Sequence, residues 1–211
     1  SAPTVPSLPA KFTVVVSARP LAELVARVAG PAVEVVSVVP LGANGHTYEP
    51  LPSDAQLLAR ADVYIENGMG LNDVVTTFAS DNYPAGTPHF GLGEEIPIEE
   101  VIATESAEQI AAHGHAHSFN AHFWPDPNYA LLYVRRITEI LATFDPADAA
   151  GYQQRAEAFS GQLQQMDAAF QAALATIPEA NRTLVVYHDS WSYYGRRYGL
   201  QVLGAIQPTD F

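Results

Sequence analysis

The chain has 211 residues, of which 48% are hydrophobic and 16% charged, with 10 bases against 23 acids, no cysteine and a formal net charge of −13. One lysine, Lys11, and scattered arginines make no basic stripe able to neutralise a phosphate backbone, which argues against nucleic acid as a partner. Without cysteine there is no disulfide scaffold, iron–sulfur cluster or thiol nucleophile, so any bound metal must be held by His, Asp or Glu.

No run approaches the ~20 apolar residues a membrane-spanning helix needs. The most apolar stretches, such as Phe12 to Val16 and Leu184 to Tyr187, are short and strand-like. The opening Ser1-Ala2-Pro3-Thr4-Val5-Pro6-Ser7 reads as a processed N-terminus rather than a leader.

Phe12 to Val16 is a β-branched run, Pro20 opens a helix with Leu21, Leu24, Val25 and Val28 at helical spacing, and Gly30-Pro31 stops it. Val33 to Val39 follows as a second apolar strand. Continuous rather than alternating apolar runs indicate parallel strands covered on both faces. The pattern repeats: Ser53 is placed to cap a helix from Asp54, Asp62 to Ile65 reads as a strand, and Asn72 is placed to cap a helix through Val75 and Phe78. A stretch from 103 to 122 reads as an exposed loop holding His113, His115, His117 and His122. Asp126-Pro127 and Asp145-Pro146 each cap a helix, the second running about 30 residues towards Pro178. That helix is either an amphipathic core helix or a rigid strut between two lobes. A last strand–helix–strand unit starts at Thr183 and reaches Ile206.

The expected fold is α/β: two small doubly wound α/β lobes joined by a long rigid helix, the second lobe incomplete in this chain. The expected division is an N-terminal lobe over 1–125, a helical segment with the strut over 126–180, and the start of a C-terminal lobe over 181–211.

His46 follows the second strand, His122 precedes the helix capped by Asp126, and His188 ends the strand Thr183 to Tyr187. Ligands of open α/β sheets bind beyond the carboxyl ends of strands. Three imidazoles converging there would form a divalent-metal site, with nitrogen donors favouring zinc over calcium or magnesium. His89 is given no role, and Glu94, Glu95, Glu99 and Glu100 read as a solvated acidic edge. Tyr193, Tyr194, Arg196, Arg197 and Tyr198 read as an ordinary helix surface. Signatures such as H-E-x-x-H, G-x-S-x-G and G-x-G-x-x-G do not occur.

Four strings carry a family resemblance: Gly45-His46-Thr47-Tyr48-Glu49-Pro50; Glu66-Asn67-Gly68; Asn120-Ala121-His122-Phe123-Trp124-Pro125-Asp126-Pro127; and Tyr187-His188-Asp189-Ser190. With them the chain resembles the metal-binding periplasmic or lipoprotein component of zinc and manganese ABC importers, the solute-binding proteins with a rigid interdomain helix. The resemblance implies that His46, His122 and His188 are metal ligands and that a histidine at the third position marks a zinc-type site. It implies a fourth, carboxylate ligand beyond Phe211, since Asp210 lies too early, and it makes Glu49, Glu66 and Asp189 candidates for orienting an imidazole. It also implies a monomer outside the cytoplasm, periplasmic or extracellular and lipid-anchored, that passes Zn2+ to an ABC permease without covalent chemistry. Manganese as cargo, a zinc-dependent hydrolase and an adhesin remain the alternatives. Proton competition at imidazole leads to an expected fall in affinity below roughly pH 6.

Overall fold

The computed structural model describes residues 12–103 and 119–207. Strand β1 (Thr13–Val16) is buried along its whole length, as the covered β-branched run requires. Helix α1 (Arg19–Ala29) buries Leu21, Ala22, Val25, Val28 and Ala29, the stripe read from the sequence. It ends at Gly30, whose φ of 72° and whose contact with Arg155, 2.9 Å from where a Cβ would stand, both demand glycine. The Arg155 guanidinium donates to the last carbonyls of α1, those of Val28 (2.7 Å) and Ala29 (3.1 Å).

Strand β2 (Glu34–Ser37) is shorter than the Val33 to Val39 run. Val38 and Val39 stay buried and donate to the carbonyls of Val16 and Ser17 at 2.9 and 3.1 Å, but Ser37 Oγ donates to the Val39 carbonyl at 2.7 Å and curls the chain out of the strand. Helix α2 (Pro52–Leu58) begins one residue before the expected Ser53 cap. Proline sets φ at the first helical position, and the Asp54 carboxylate folds back to accept from the Leu51 N–H (2.7 Å) and the Tyr48 hydroxyl (2.8 Å). Strand β3 (Val63–Glu66), helix α3 (Asp73–Asn82) and strand β4 (His89–Gly91) complete the first lobe. Its sheet has the order β2-β1-β3-β4, all parallel. Successive crossovers therefore leave β1 and reach β3 on opposite sides, giving a switch point at their carboxyl ends.

Helix α4 (Pro127–Phe144) is capped by Asp126, whose Oδ1 accepts the Asn128 N–H at 2.9 Å. Asp145 closes α4 and accepts from the Tyr152 hydroxyl at 2.6 Å, so it does not cap the next helix. Helix α5 (Ala149–Ala175) has 27 residues, about 40 Å at 1.5 Å per residue. Its two halves do different work. Tyr152, Ala156 and Leu163 are buried in the first-lobe core. Further along, Asp167 pairs with Arg197, and the Phe170 ring stands 5.9 Å from that of Tyr194. The helix is thus a core helix in its first half and a strut in its second.

Strands β5 (Thr183–Val186) and β6 (Gln201–Ala205) pair in parallel across helix α6 (Ser192–Tyr198), forming the second, two-stranded sheet. The stretch expected as an exposed loop departs from that reading where it is described. Ala103 and Phe119 form an isolated bridge, and Asn120, Ala121 and His122 are buried. His113, His115, His117 and Asp210 lie outside the described residues.

Candidate metal centre

Three separate loops bring His46, His122 and His188 to one point. His122 is central: its Nε2 lies 3.1 Å from Nε2 of His46 and 3.0 Å from Nε2 of His188. A tetrahedral zinc with bonds of about 2.0–2.1 Å separates neighbouring nitrogens by about 3.3 Å, so the spacing fits one small ion held by three imidazoles.

The supports of each ring follow from local chemistry. Asn120 Oδ1 accepts from both the backbone N–H and Nδ1 of His122, each at 3.0 Å, while its Nδ2 donates to the Asp189 carbonyl at 2.9 Å. That amide orientation leaves Oδ1 able only to accept, so Nδ1 of His122 carries the proton and its Nε2 lone pair faces the other two rings. The Asn120 carbonyl in turn accepts from the Tyr193 hydroxyl on α6 at 2.6 Å. Asn120 therefore joins His122, the His188 loop and α6. Asn67 fixes the same segment from the other side, donating to the Ala121 carbonyl at 2.9 Å and accepting from Tyr133 at 2.8 Å.

His46 is held through its own loop. Its N–H is accepted by Asn44 Oδ1 at 3.0 Å, and the carbonyl of Gly45 accepts from Asn72 Nδ2 at 2.7 Å. Asn72 stands at the α3 cap position, as the sequence indicated, but its side chain makes no capping bond.

Burial drives all three imidazoles towards their neutral, metal-binding form. It lowers His46 to about 4 and His122 to about 3, in both cases helped by neighbouring imidazoles. His188 is lowered too, by burial acting against the charge of Asp189. The cluster opens into a cleft of about 260 Å³ whose walls include Pro20, Val39, Trp124 and Ser190. Arg19 on the rim is paired with Glu23 at 2.7 Å.

The carboxylates suggested as orienting groups have other partners or are exposed. Glu66 accepts from His89 Nε2 at 2.8 Å and from Thr76, Asp189 Oδ1 accepts from Ser192 at 2.6 Å, and Glu49 is exposed. His89, to which no role was given, is thus the ion-pair partner of Glu66. The acidic edge is also partly engaged: Glu95 pairs with Arg136 at 3.3 Å and Glu100 accepts from Tyr129 at 2.8 Å. The α6 surface is a lock rather than a solvated face. Arg197 donates to Asp167 and lies 3.6 Å from Asp126, and Tyr198 donates to Asp167 at 2.8 Å.

Two α/β lobes bridged by a long helix, with imidazoles meeting in the cleft, define a solute-binding protein of the metal-binding class. Residues 14–210 match the family described as ZnuA, zinc-uptake complex component A, periplasmic, and the chain belongs to that family. It is 29% identical over 191 residues to the manganese-binding lipoprotein MntA of Halalkalibacterium halodurans, covering 90% of this chain and 59% of that protein. The iron-binding protein YfeA of Yersinia pestis is also 29% identical, with 90% of this chain and 58% of that protein covered. The periplasmic zinc binding protein TroA of Treponema pallidum superimposes with a TM-score of 0.80 at 25% identity, over 92% of this chain and 66% of that one. The chain thus spans less than two thirds of the length of the two curated relatives.

Proposed function

We propose that this chain is the metal-capturing part of the extracytoplasmic binding component of an ABC importer. It would bind one divalent transition-metal ion through His46, His122 and His188 and pass it to a membrane permease. The observation that carries the reading is the meeting of three neutral imidazoles, from three loops, with the Nε2 lone pair of His122 directed inwards by Asn120. Zinc is the proposed cargo, because three borderline-soft nitrogens bind zinc more tightly than iron(II) or manganese(II). Manganese is the second reading, favoured by the likeness to a manganese-binding lipoprotein. The protein would work as a monomer, periplasmic or at the outer cell surface, held there by a lipid anchor.

The test is a competitive titration of metal-stripped protein against a chromophoric chelator, with zinc as titrant and manganese in excess. One tight zinc site undisturbed by manganese supports the zinc reading. Displacement of zinc by manganese transfers the proposal to manganese, and binding of neither metal removes the importer reading.

A further inference from the structure

A second cavity sits at the switch point of the first sheet, where β1 and β3 end. It holds about 180 Å³, and its lining includes Ser17, Glu66, Asn72, Asp73, Thr76 and Glu94. Ser17 is fully buried at the end of β1, and its Oγ has no hydrogen-bond partner among the described residues. Asn72 is 8% exposed, and its Oδ1 is likewise unpartnered. Two buried oxygens in one small cavity are costly unless something there engages them.

The rest of the lining says what that could be. Thr76 Oγ1 donates its hydrogen to Glu66, so it presents only lone pairs to the cavity. Asp73, in the first turn of α3, offsets the positive end of that helix. Glu94 folds across the bare backbones of Gly91 and Gly68: a Cβ on Gly91 would stand 2.8 Å from Glu94 Oε1, and one on Gly68 3.7 Å. Gly68, Met69 and Gly70, all with positive φ (74°, 55° and 77°), wrap the chain around this space, and Met69 is the only non-glycine residue of that kind among the described residues. Carboxylates exclude an anion, and a lining of acceptor oxygens without imidazole, on which Met69 is the single sulfur-bearing residue, calls for a hard cation.

We propose that this cavity is a second metal site, for a hard, oxygen-coordinated divalent cation of the calcium type, distinct from the three-histidine cluster. Calcium accepts six to eight oxygens from carboxylate, amide, hydroxyl and water at about 2.3–2.6 Å. Here Ser17 Oγ, Asn72 Oδ1 and the carboxylates of Glu94 and Asp73 supply protein oxygens, and water completes the shell. Glu66 stands behind them, shared with His89 at 2.8 Å. An ion bound to Asn72 Oδ1 also fixes the amide whose Nδ2 holds the Gly45 carbonyl, next to His46, so this cation stiffens the loop that brings in the first imidazole.

Equilibrium dialysis of the metal-stripped chain against radioactive calcium tests the site. The expected result is one calcium per chain at free concentrations of about 10⁻³ M or below, with affinity falling at least about tenfold in both Glu94→Gln and Ser17→Ala. Glu94 is exposed, so its variant keeps the fold, which circular dichroism verifies. A cavity filled by water alone, seen as no calcium retained at about 10⁻³ M, overturns the proposal. So does retention that neither variant weakens, because the ion would then sit elsewhere.

Discussion

Replacing Asn120 by alanine isolates what the residues around the imidazoles contribute, because Asn120 touches His122 but is not one of the three clustered histidines. The side chain is 3% exposed and takes part in three hydrogen bonds: two accepted from His122 at 3.0 Å and one donated to the Asp189 carbonyl at 2.9 Å. At about 1 kcal/mol each, their loss destabilises the metal-free protein by about 3 kcal/mol. For a chain of this length that lowers the melting temperature by about 6–12 °C. The effect on metal is separate. Without the acceptor on Nδ1, the His122 ring can rotate and exchange tautomers, and the His188 loop loses its tie to the same amide. Loss of such an orienting partner costs about 10- to 100-fold in metal affinity, or about 1.4–2.8 kcal/mol. Competition against a chromophoric chelator reads the affinity, and thermal melting with and without zinc reads the stability. Asn120→Asp, which keeps an acceptor for Nδ1, is expected to recover most of the affinity but not the bond to Asp189. An alanine variant that is folded and binds zinc within about twofold of the parent would refute the reasoning, since the geometry of His122 would then owe nothing to Asn120.

Burial moves proton competition to lower pH than free imidazole implies: with His46 at about 4 and His122 at about 3, metal affinity should hold down to about pH 5 and fall steeply below it, whereas a break near pH 6.5 would contradict the burial argument. The sign for stability is the same. In the unfolded chain these histidines take protons from about pH 6.5 downwards while the folded chain resists, so metal-free stability is fully present above pH 6.5 and is lost as pH falls towards 4 and then 3, which urea titrations across that range will register. His188→Asp exchanges a borderline nitrogen for a hard oxygen and should narrow the preference for zinc over manganese by about tenfold or more, as competition titrations measure; an unchanged ratio would remove His188 from the ligand set. Arg197→Ala strips the guanidinium from the largely buried Asp167 and Asp126, 17% and 7% exposed, and should cost about 3 kcal/mol in chemical denaturation. Arg197→Lys should restore little of it, because an ammonium cannot reproduce the two-nitrogen grip on Asp167.

The division between what the sequence made legible and what it hid follows from the range of the interactions. Covered β-branched strands, the α1 stripe and the Asp126 cap are local, and each reads directly from neighbours within a few residues. The three histidines were also within reach, because each lies in a loop next to a strand or a capped helix and parallel sheets gather such loops at one edge. Partners set by tertiary register were not legible. Glu66 meets His89 only because β3 and β4 pair with Tyr64 opposite His89 and Glu66 opposite Gly91, a juxtaposition across 23 residues that no spacing rule encodes. The Ser53 cap and a capping bond from Asn72 are absent for related reasons, although Asn72 does stand at the α3 cap position. At α2 Pro52 and Asp54 start the helix without Ser53, while Asn72 gives its Nδ2 to the distant Gly45 carbonyl and its Oδ1 makes no capping bond. Asn120 is the intermediate case. Its bond to His122 spans two residues and has a local signal, an amide two positions before a histidine, while its bond to Asp189 spans 69 and has none. The local bond orients one imidazole and the distant one ties it to the loop of another, so the part of the centre hidden from sequence is the part that holds the three rings together.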